Sequence, residues 1–288
     1  MKIGFIGTGL MGEPMAAKIL KADREVIAYN RTKSKLETIK KAGAEIAESP
    51  AEVIKNSDCV ILMLSDAPTI QNLLLSETAK KELSGSTILQ MGTIAPAESK
   101  AIRDEVVAAG GEYLEAPVLG SIPQVKSGSL IVMVGATAEQ FDRYLSLFNI
   151  FSPEPLLIGE VGAAAALKLA MNQLIGSLTT AFSLSLGLIM RHGIEIETFM
   201  KIVRESALYA PTFDKKLERM VDRNYANPNF PTKHMLKDTK LFINAAESVG
   251  LDVSLQEGVG QVLEKAIELG LADVDYSSLF SAVNPEEK

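Results

Sequence analysis

The amino-acid sequence predicts an α/β protein, with a doubly wound parallel sheet over residues 1–160 and an all-helical second domain over residues 161–288. Two observations lead to this fold class. Short apolar segments alternate with helical patterns in the first half of the chain, and after residue 161 only helical patterns occur. The short segments are apolar throughout, which is typical of parallel strands that helices cover on both faces.

Several segments of the first domain have the character of strands. Helices are expected between and after them, including residues 11–21, 33–41 and 96–109, and the second of these ends where Gly43 can form a C-cap. A long helix is expected to open the second domain, in which loops separate the helices. The strand segments are KIGFIG, EVIAY, DCVILML, STILQM, GEYLEAP, SLIVMVG and PLLIG, and the loops are RHGIE, LYAPTF, NYANPNFP and ESVGLD.

Composition and charge argue against several function classes. The net charge of −7 and the lack of a Lys/Arg-rich block argue against a nucleic-acid-binding protein. The single cysteine, Cys59, excludes an intramolecular disulfide and a multi-cysteine metal site, so we expect no metal and a buried thiol. The segment MKIGFIGTGLMG lacks the apolar core and the cleavage site of a signal peptide, and a cytoplasmic location is therefore expected.

A G-x-G-x-x-G pattern directly follows the first predicted strand and opens the first predicted helix. In this setting the pattern is typical of a Rossmann-type dinucleotide-binding domain. The first glycine permits a tight turn, the second lets a pyrophosphate approach the backbone, and the third lets the helix pack close to the strand. The cofactor-binding residues predicted from this loop are Gly7, Thr8, Gly9, Leu10, Met11 and Gly12.

The end of the second predicted strand indicates which dinucleotide binds. NAD sites usually carry an Asp or Glu about 20 residues after the glycine loop, where the carboxylate accepts hydrogen bonds from the ribose. This chain has Asn30, Arg31 and Thr32 at that place. An arginine with neighbouring donors would neutralise a 2′-phosphate, and we therefore expect NADP(H) in preference to NAD(H).

Residues 161–190 contain a single charged side chain, that of Lys168. The part that follows it, residues 169–190, is long enough to span a membrane. It nevertheless carries Asn, Gln, Ser and Thr side chains, and no aromatic belt or asymmetric basic loop flanks it. A helix that is apolar on all sides can equally be buried between domains or subunits, and this interpretation is favoured.

Four motifs, in order along the chain, resemble those of a known family. They are GFIGTGLMGEPMA, EAPVLGS, GAAAALKLAMN and KHMLKDTKL, and the match covers nearly the whole sequence. In these motifs the chain resembles the β-hydroxyacid dehydrogenases, the relatives of 3-hydroxyisobutyrate dehydrogenase, and most of all their glyoxylate/succinic semialdehyde reductase branch. The resemblance implies an oxidoreductase that binds a nicotinamide dinucleotide in its first domain.

The resemblance also implies roles for particular residues near the substrate. Lys168 corresponds to the catalytic lysine of the family. Asn172 lies one helical turn later, where it would hold the substrate or orient the lysine. The segment EAPVLGS corresponds to the substrate-binding loop, in which the backbone N–H groups of Gly120 and Ser121 would receive the substrate carboxylate.

Other positions of the family's site are matched elsewhere in the chain. Thr93 corresponds to a position near both the nicotinamide ribose and the substrate. Lys237 and Asp238 belong to the motif that closes the site, and the resemblance implies that the lysine contacts the cofactor and the aspartate the substrate. Phe230 would form an apolar wall nearby.

Three positions differ from the pattern common in the family. Leu119 stands where a serine is common, which removes a hydroxyl expected to bind the carboxylate and adds bulk. Gly92 stands where a serine commonly precedes the threonine. Glu115 replaces a commoner aspartate, a change that the reductase branch shares. The first difference bears on which substrate fits.

Beside the resemblance, the residues themselves favour Lys168 as a proton donor. Hydride transfer builds negative charge on a carbonyl oxygen, and a positioned acid accelerates the reaction by roughly 10²–10⁴-fold. The two histidines are poor candidates, because His192 stands at a predicted helix end and His234 is expected to be only a neighbour of the site. Apolar surroundings lower the pKa of a lysine toward neutrality; Lys237 would act in the same direction, and a substrate carboxylate would oppose it.

The sequence therefore predicts an NADP(H)-dependent reductase of a small carboxylate-bearing aldehyde or 2-oxo acid, of the succinic semialdehyde or glyoxylate type, which forms the hydroxy acid. An imine reductase and a catalytically weak nucleotide-binding or scaffold protein on the same fold are the alternatives. We expect no nucleic-acid or membrane partner. A homo-oligomer, either a dimer or a tetramer, is expected because so apolar a helix needs to be covered.

Overall fold

The computed structural model describes residues 1–286, so residues 287 and 288 of the predicted second domain lie outside the described part. The chain divides into two compact units, Met1–Leu169 and Ala170–Lys288. All strands of the sheet belong to the first unit. They are β1 (Ile3–Ile6), β2 (Val26–Tyr29), β3 (Glu45–Ile46), β4 (Cys59–Leu62), β5 (Thr87–Gln90), β6 (Glu112–Glu115), β7 (Val118–Leu119), β8 (Ile131–Gly135) and β9 (Leu156–Gly159).

Helices follow most of the strands, and one long helix extends from the first unit into the second. The helices of the first unit are α1 (Gly12–Lys21), α2 (Glu37–Lys41), α3 (Pro50–Lys55), α4 (Ala67–Leu74), α5 (Glu77–Lys80), α6 (Pro96–Ala108), α7 (Ile122–Ser127) and α8 (Ala138–Phe148). The long helix is α9 (Ala163–Arg191), and it is followed by α10 (Ile196–Glu205), α11 (Pro211–Val221), α12 (Thr232–Glu247), α13 (Ser254–Glu268) and α14 (Leu279–Val283).

The strands form a nine-stranded sheet with the order β3-β2-β1-β4-β5-β6-β8-β7, in which β9 pairs with β8. The pairs from β3 through β6 are all parallel, as the apolar segments predict. Strand β8 runs antiparallel to β6 and β7 and parallel to β9. The predicted fold class is confirmed, although the sheet is mixed at one side because the chain reverses direction between β7 and β8.

Two strands of this sheet were not predicted. Strands β3 and β7 have two residues each, so neither offers enough sequence for a pattern to be recognised. The helix predicted over residues 33–41 also differs in detail, because it begins as a 3₁₀ turn at Lys33–Leu36 before α2. It ends as expected at Gly43, which has a φ of 103°.

Both faces of the sheet are buried, which explains why its strands are apolar throughout. In β1, Ile3 and Phe5 belong to one core cluster, and Ile6 belongs to the cluster on the opposite face. Cys59 is fully buried in the first of these clusters, as expected. Burial, with a smaller contribution from the negative charge of Asp58, raises the pKa of its thiol to about 12, so this cysteine is a core residue and not a nucleophile.

The second unit is built from helices, as predicted. Among its described residues, strand-like pairing is limited to an isolated bridge between Pro231 and Asp275. One apolar cluster forms around Phe182 and Phe213, whose stacked ring centroids lie 4.6 Å apart. A second cluster forms around Met235 and residues of α13 and α14. The described part of this unit therefore contains two small apolar cores.

Within the described residues, α9 is the one helix that is long and apolar enough to cross a membrane, a test that a core helix of a soluble protein also passes. Its buried hydroxyl groups are satisfied inside the helix. Thr179, Thr180 and Ser183 donate to the carbonyl oxygens four residues earlier at 2.8, 2.9 and 2.8 Å. Phe182 and Leu186 pack into the core of the second unit. These contacts favour a core helix.

Candidate active site

The glycine loop between β1 and α1 is shaped by close backbone contacts. Gly7 has a φ of 101°, and a Cβ there would lie 2.4 Å from the carbonyl oxygen of Met63. A Cβ on Gly12 would lie 1.9 Å from the carbonyl oxygen of Gly7. A Cβ on Gly9 would meet no heavy atom within 4 Å, so the backbone is open on that side. The three glycines therefore have the roles that a dinucleotide loop requires.

Polar groups of the same loop fit a phosphate-bearing ligand. The N–H of Thr8 donates to Oδ1 of Asn30 at 3.1 Å, and Nδ2 of Asn30 donates to the carbonyl oxygen of Thr32 at 3.0 Å. The side-chain oxygen of Thr8 is buried and has no hydrogen-bond partner within the described residues. Buried hydroxyls are normally paired, so this group suits an acceptor supplied by a ligand. Asn30 itself holds the loop to the end of β2.

The basic residues after β2 differ in their surroundings. Lys33 lies 2.5 Å from the carboxylate of Glu48 and forms an exposed ion pair with it. Arg31, Thr32 and Lys35 are exposed as well. No ion pair to Arg31 is found in the described part of the chain, whereas the charge of Lys33 is already balanced. Arg31 is therefore placed to meet an anion from solution.

The predicted substrate loop, EAPVLGS, extends from the end of β6 through β7 to Ser121. Gln124, which was not among the predicted site residues, holds the end of this loop. Gly120 is exposed and has a φ of 133°, a conformation that favours glycine. Both the N–H and the Oγ of Ser121 donate to Oε1 of Gln124, at 3.0 and 2.8 Å. The side chain of Gln124 thus engages both donor groups of Ser121 at the start of α7. Leu119 beside them is partly exposed.

The structure supplies a physical reason for Gly92. A Cβ at this position would lie 2.5 Å from the carbonyl oxygen of Leu64, which leaves no room for the serine that is common in the family. The side chain of Gln90 holds the turn, because its Oε1 accepts from the N–H of Gly92 at 2.7 Å and its Nε2 donates to the carbonyl oxygen of the same glycine at 3.0 Å. Thr93 follows directly and is partly buried.

Lys168 lies on α9, in the part of the helix that belongs to the first unit. Its side chain is only 9% exposed. The first turn of this helix is held by Glu115, whose Oε1 accepts from the N–H groups of Gly162 and Ala165 at 2.7 and 3.0 Å. Lys168 is therefore a buried side chain on a helix whose start is anchored by a carboxylate.

In the second unit the structure brings three of the predicted residues together. Nδ2 of Asn172 donates to Oδ2 of Asp238 at 2.7 Å, and Nζ of Lys237 lies 2.8 Å from Oδ1 of Asp238. Asn172 and Asp238 are buried, and Lys237 is partly exposed. Phe230 contacts Tyr276 edge to face at a centroid distance of 5.8 Å, so part of its ring belongs to the core.

The histidines are placed as the sequence indicates. His192 is exposed and follows the end of α9, next to Gly193 with a φ of 68°. His234 lies in the first turns of α12. Burial lowers its pKa, and the neighbouring charge of Lys237 lowers it further. Within residues 1–286 no group of three or more His, Cys, Asp or Glu side chains is arranged to hold a metal ion.

Both halves of the chain match families of nucleotide-binding dehydrogenase domains. Residues 2–159 match the family described as the NAD binding domain of 6-phosphogluconate dehydrogenase. Residues 162–283 match the family described as NAD-binding of NADP-dependent 3-hydroxyisobutyrate dehydrogenase. The two matches adjoin each other and together include every predicted site residue.

Individual relatives extend over the same length. Glyoxylate/succinic semialdehyde reductase 1 of Arabidopsis thaliana is 32% identical over 285 residues, which is 98% of each chain. The cytokine-like nuclear factor N-PAC of Xenopus tropicalis is 27% identical over 283 residues, 98% of this chain and 53% of that protein. The solved structure of 3-hydroxyisobutyrate dehydrogenase from Mycobacterium tuberculosis with L-serine has the same fold, with a TM-score of 0.88, 19% identity and 98% of each chain covered. The chain therefore belongs to the β-hydroxyacid dehydrogenase family.

Proposed function

We propose that the protein is an NADP(H)-dependent reductase that converts a small semialdehyde or 2-oxo acid, of the succinic semialdehyde or glyoxylate type, into the hydroxy acid. The observation that carries the proposal is the buried Lys168 on an anchored helix of the unit that also contains the glycine loop. The relative named as a glyoxylate/succinic semialdehyde reductase supports the substrate class.

Lys168 acts as the general acid in this proposal. NADPH, when bound, supplies the hydride. Nζ of Lys168 donates a proton to the carbonyl oxygen of the substrate, which removes the negative charge that develops there. In the reverse direction the same nitrogen accepts the hydroxyl proton.

The substrate carboxylate binds the loop that contains Gly120 and Ser121. In the structure the donors of Ser121 are occupied by Gln124, so the carboxylate either uses the backbone of Gly120 or displaces the amide of Gln124. Thr93 contacts the substrate and the nicotinamide ribose. In the second unit, Asn172, Asp238 and Phe230 are proposed substrate contacts, and Lys237 is a proposed cofactor contact. The ion pair and the hydrogen bond of Asp238 fix the orientations of its two neighbours.

The preference for NADP(H) rests on the end of β2. A 2′-phosphate carries negative charge, and an exposed arginine without an acidic neighbour is a suitable partner for it. Arg31 meets this description, and Thr32 adds a hydroxyl group. The pyrophosphate is proposed to bind the loop from Gly7 to Gly12, where the hydroxyl of Thr8 needs an acceptor. The family match supports a nicotinamide dinucleotide in general.

Two alternatives stay open, and one assay separates them. An imine reductase would reduce a cyclic imine faster than an aldehyde acid, and a scaffold protein would bind NADPH without turnover. The similarity to N-PAC, which is named as a nuclear factor, is the reason to test for a scaffold protein. Purified protein is mixed with NADPH and, separately, with succinic semialdehyde, glyoxylate and a cyclic imine, and NADPH absorbance is followed. Turnover of an aldehyde acid supports the proposal, and NADPH binding without any turnover contradicts it.

The remaining expectations concern partners and location. The exposed face of α9 carries Leu174, Leu178, Leu184 and Leu188. A row of leucines on a helix of this kind suits a second copy of the chain, and we propose a homo-oligomer in the cytoplasm, with no membrane or nucleic-acid partner. Light scattering should give the mass of a dimer or tetramer, and Leu178→Glu should lower that mass, whereas Leu255→Glu on α13 should not.

A further inference from the structure

We propose that Glu115 is a positioning residue of the reaction, which holds the start of α9 in place so that Lys168 meets the substrate carbonyl. The proposal rests on the proposed role of Lys168 as the proton donor. It concerns residues of the first unit alone, since Glu115 and Lys168 both precede Ala170. The family resemblance implies only that an acidic side chain occupies this position of the loop motif. It does not imply a contact between that side chain and the start of α9.

The contact is buried and fully paired. The Glu115 side chain is 1% exposed. Its Oε1 accepts from the N–H groups of Gly162 and Ala165 at 2.7 and 3.0 Å, and its Oε2 accepts a hydrogen bond from Oγ of Ser99. Helix N-termini leave unpaired N–H groups and carry partial positive charge. A carboxylate that bridges two of these groups therefore neutralises and anchors the helix start.

A glycine and two hydroxyl groups surround the carboxylate of Glu115. Glu115 pairs with Gly135 of the neighbouring strand, and a Cβ on this glycine would lie 2.6 Å from Oε1 of Glu115. Oγ of Ser99 also lies 2.9 Å from the hydroxyl oxygen of Tyr113. Burial raises the pKa of this tyrosine, which keeps it protonated. Since Ser99 donates to Glu115, Tyr113 donates to Ser99, and the chain of hydroxyls ends on the carboxylate.

The position of Glu115 in the chain links this anchor to the reaction. It is the last residue of β6, and the chain then leads through β7 to Gly120, five residues later. Lys168 lies three residues beyond Ala165, within one turn of the anchored backbone. One carboxylate thus fixes the entry of the substrate loop and the turn that precedes the proton donor. A displacement of about 1 Å at a reacting group can cost roughly 10²-fold in rate.

The substitutions that test the proposal differ in what they leave at the helix start. Glu115→Ala removes the acceptor and should lower kcat by about 10²-fold with the Kd for NADPH within about twofold. Glu115→Gln retains an amide oxygen, and the hydroxyls of Ser99 and Tyr113 can reverse their donation to suit its NH₂ group. It should therefore restore part of the activity, to about tenfold below the parent. Ser99→Ala keeps the carboxylate and should lower kcat by about threefold. This variant tests the proposal even if Glu115→Ala does not fold.

A matched control separates positioning from stability. Thr137 caps α8 by accepting from the N–H of Gln140 at 3.2 Å. Thr137→Ala should lower the midpoint of urea denaturation because the cap is lost, with kcat unchanged. Glu115→Ala is also combined with Lys168→Ala and measured at high enzyme concentration. If Glu115 acts through Lys168, its removal from the Lys168→Ala protein should cost less than about twofold in kcat.

The outcomes are distinct for the two proposals. Near-normal kcat in Glu115→Ala, or a full additional loss when it is combined with Lys168→Ala, overturns the positioning role of Glu115. A Lys168→Ala protein that keeps its activity overturns the proposed function instead. Amide hydrogen exchange at Gly162 and Ala165 gives a reading that does not depend on turnover. Exchange there should be faster in Glu115→Ala, and unchanged exchange contradicts the anchor itself.

Discussion

Nδ2 of Asn172 donates a 2.7 Å hydrogen bond to Oδ2 of Asp238, and both side chains are buried. The other oxygen of this carboxylate lies 2.8 Å from Nζ of Lys237. The aspartate thus fixes the amide orientation of Asn172 and balances the charge of Lys237. A buried, charge-assisted hydrogen bond of this kind contributes more than a neutral one, and removing one partner leaves the other unsatisfied.

Removing Asn172 should weaken the fold. Asn172→Ala leaves the buried Asp238 without one of its donors and should lower the free energy of unfolding by about 1–3 kcal/mol. Urea denaturation measures this change. Ser177→Ala, which removes a less buried polar contact between α9 and Gln256, is the matched control and should have the smaller effect. Equal stability of the two variants would contradict the importance of the Asn172–Asp238 contact.

Reversing the charge of Arg31 should change the preferred dinucleotide. Arg31→Asp replaces the proposed partner of the 2′-phosphate by a group that repels it, so kcat/KM for NADPH should fall relative to NADH by at least about tenfold. Lys40→Asp makes the same change of charge on α2 and should leave the ratio near that of the parent. An unchanged NADPH/NADH ratio in the Arg31 variant would remove the argument for the phosphate site.

Adding the family's serine at position 92 should destabilise the protein. The Cβ of Gly92→Ser would lie 2.5 Å from the carbonyl oxygen of Leu64, and the required backbone shift should cost about 1–3 kcal/mol. Thermal unfolding shows the effect as a lower Tm. Gly258→Ser is the control, because no heavy atom lies within 4 Å of a Cβ at that position in α13. A Gly92→Ser protein as stable as the control would show that the turn adjusts easily.

Leu119→Ser should favour the shortest substrates. The change returns the hydroxyl that is common in the family and removes bulk beside Gly120. We expect a higher kcat/KM for glyoxylate, by several fold, and a smaller change for succinic semialdehyde, since one hydrogen bond to a charged group is worth about 1.5–3 kcal/mol at most. If kinetics with all substrates stay the same, Leu119 does not contact them.

The half-buried His234 should make the fold less stable in acid. Burial, followed by the charges of Lys237 and Lys233, lowers its pKa, and Asp238 and Asp273 oppose them only in part. The folded protein therefore binds this proton less readily than the unfolded chain, whose histidine pKa is about 6.5. The stability associated with neutral His234 is present above that pH and is lost as pH falls below it. His234→Gln should reduce the decrease in unfolding free energy between about pH 8 and pH 5, and an unchanged pH dependence would contradict this.

Much of this architecture could be predicted from local sequence patterns. The uniformly apolar strands indicate a sheet buried on both faces, and Ile3, Phe5 and Ile6 confirm it by packing into two clusters. The glycine loop is also a local signal, because its three glycines lie within six residues of one another and form a recognisable pattern. Strands β3 and β7 escaped prediction because two residues carry no period.

Contacts between residues far apart in the sequence were harder to predict. Glu115 and Gly162 are 47 positions apart, and no sequence pattern joins a carboxylate at a strand end to a helix start. The engagement of Ser121 by Gln124 is different, since the S-x-x-Q spacing is a recognisable capping box that could have been identified. The roles of the site residues themselves stay predictions, because they depend on a substrate and a cofactor.

The central claim is that Lys168 supplies the proton, and its most direct test is kcat of Lys168→Ala with NADPH and succinic semialdehyde, measured together with the Kd for NADPH. We predict that kcat falls by roughly 10²–10⁴-fold, while the Kd for NADPH and the Tm stay close to the parent values. A Lys168→Ala protein that retains half of the parent kcat would contradict the account.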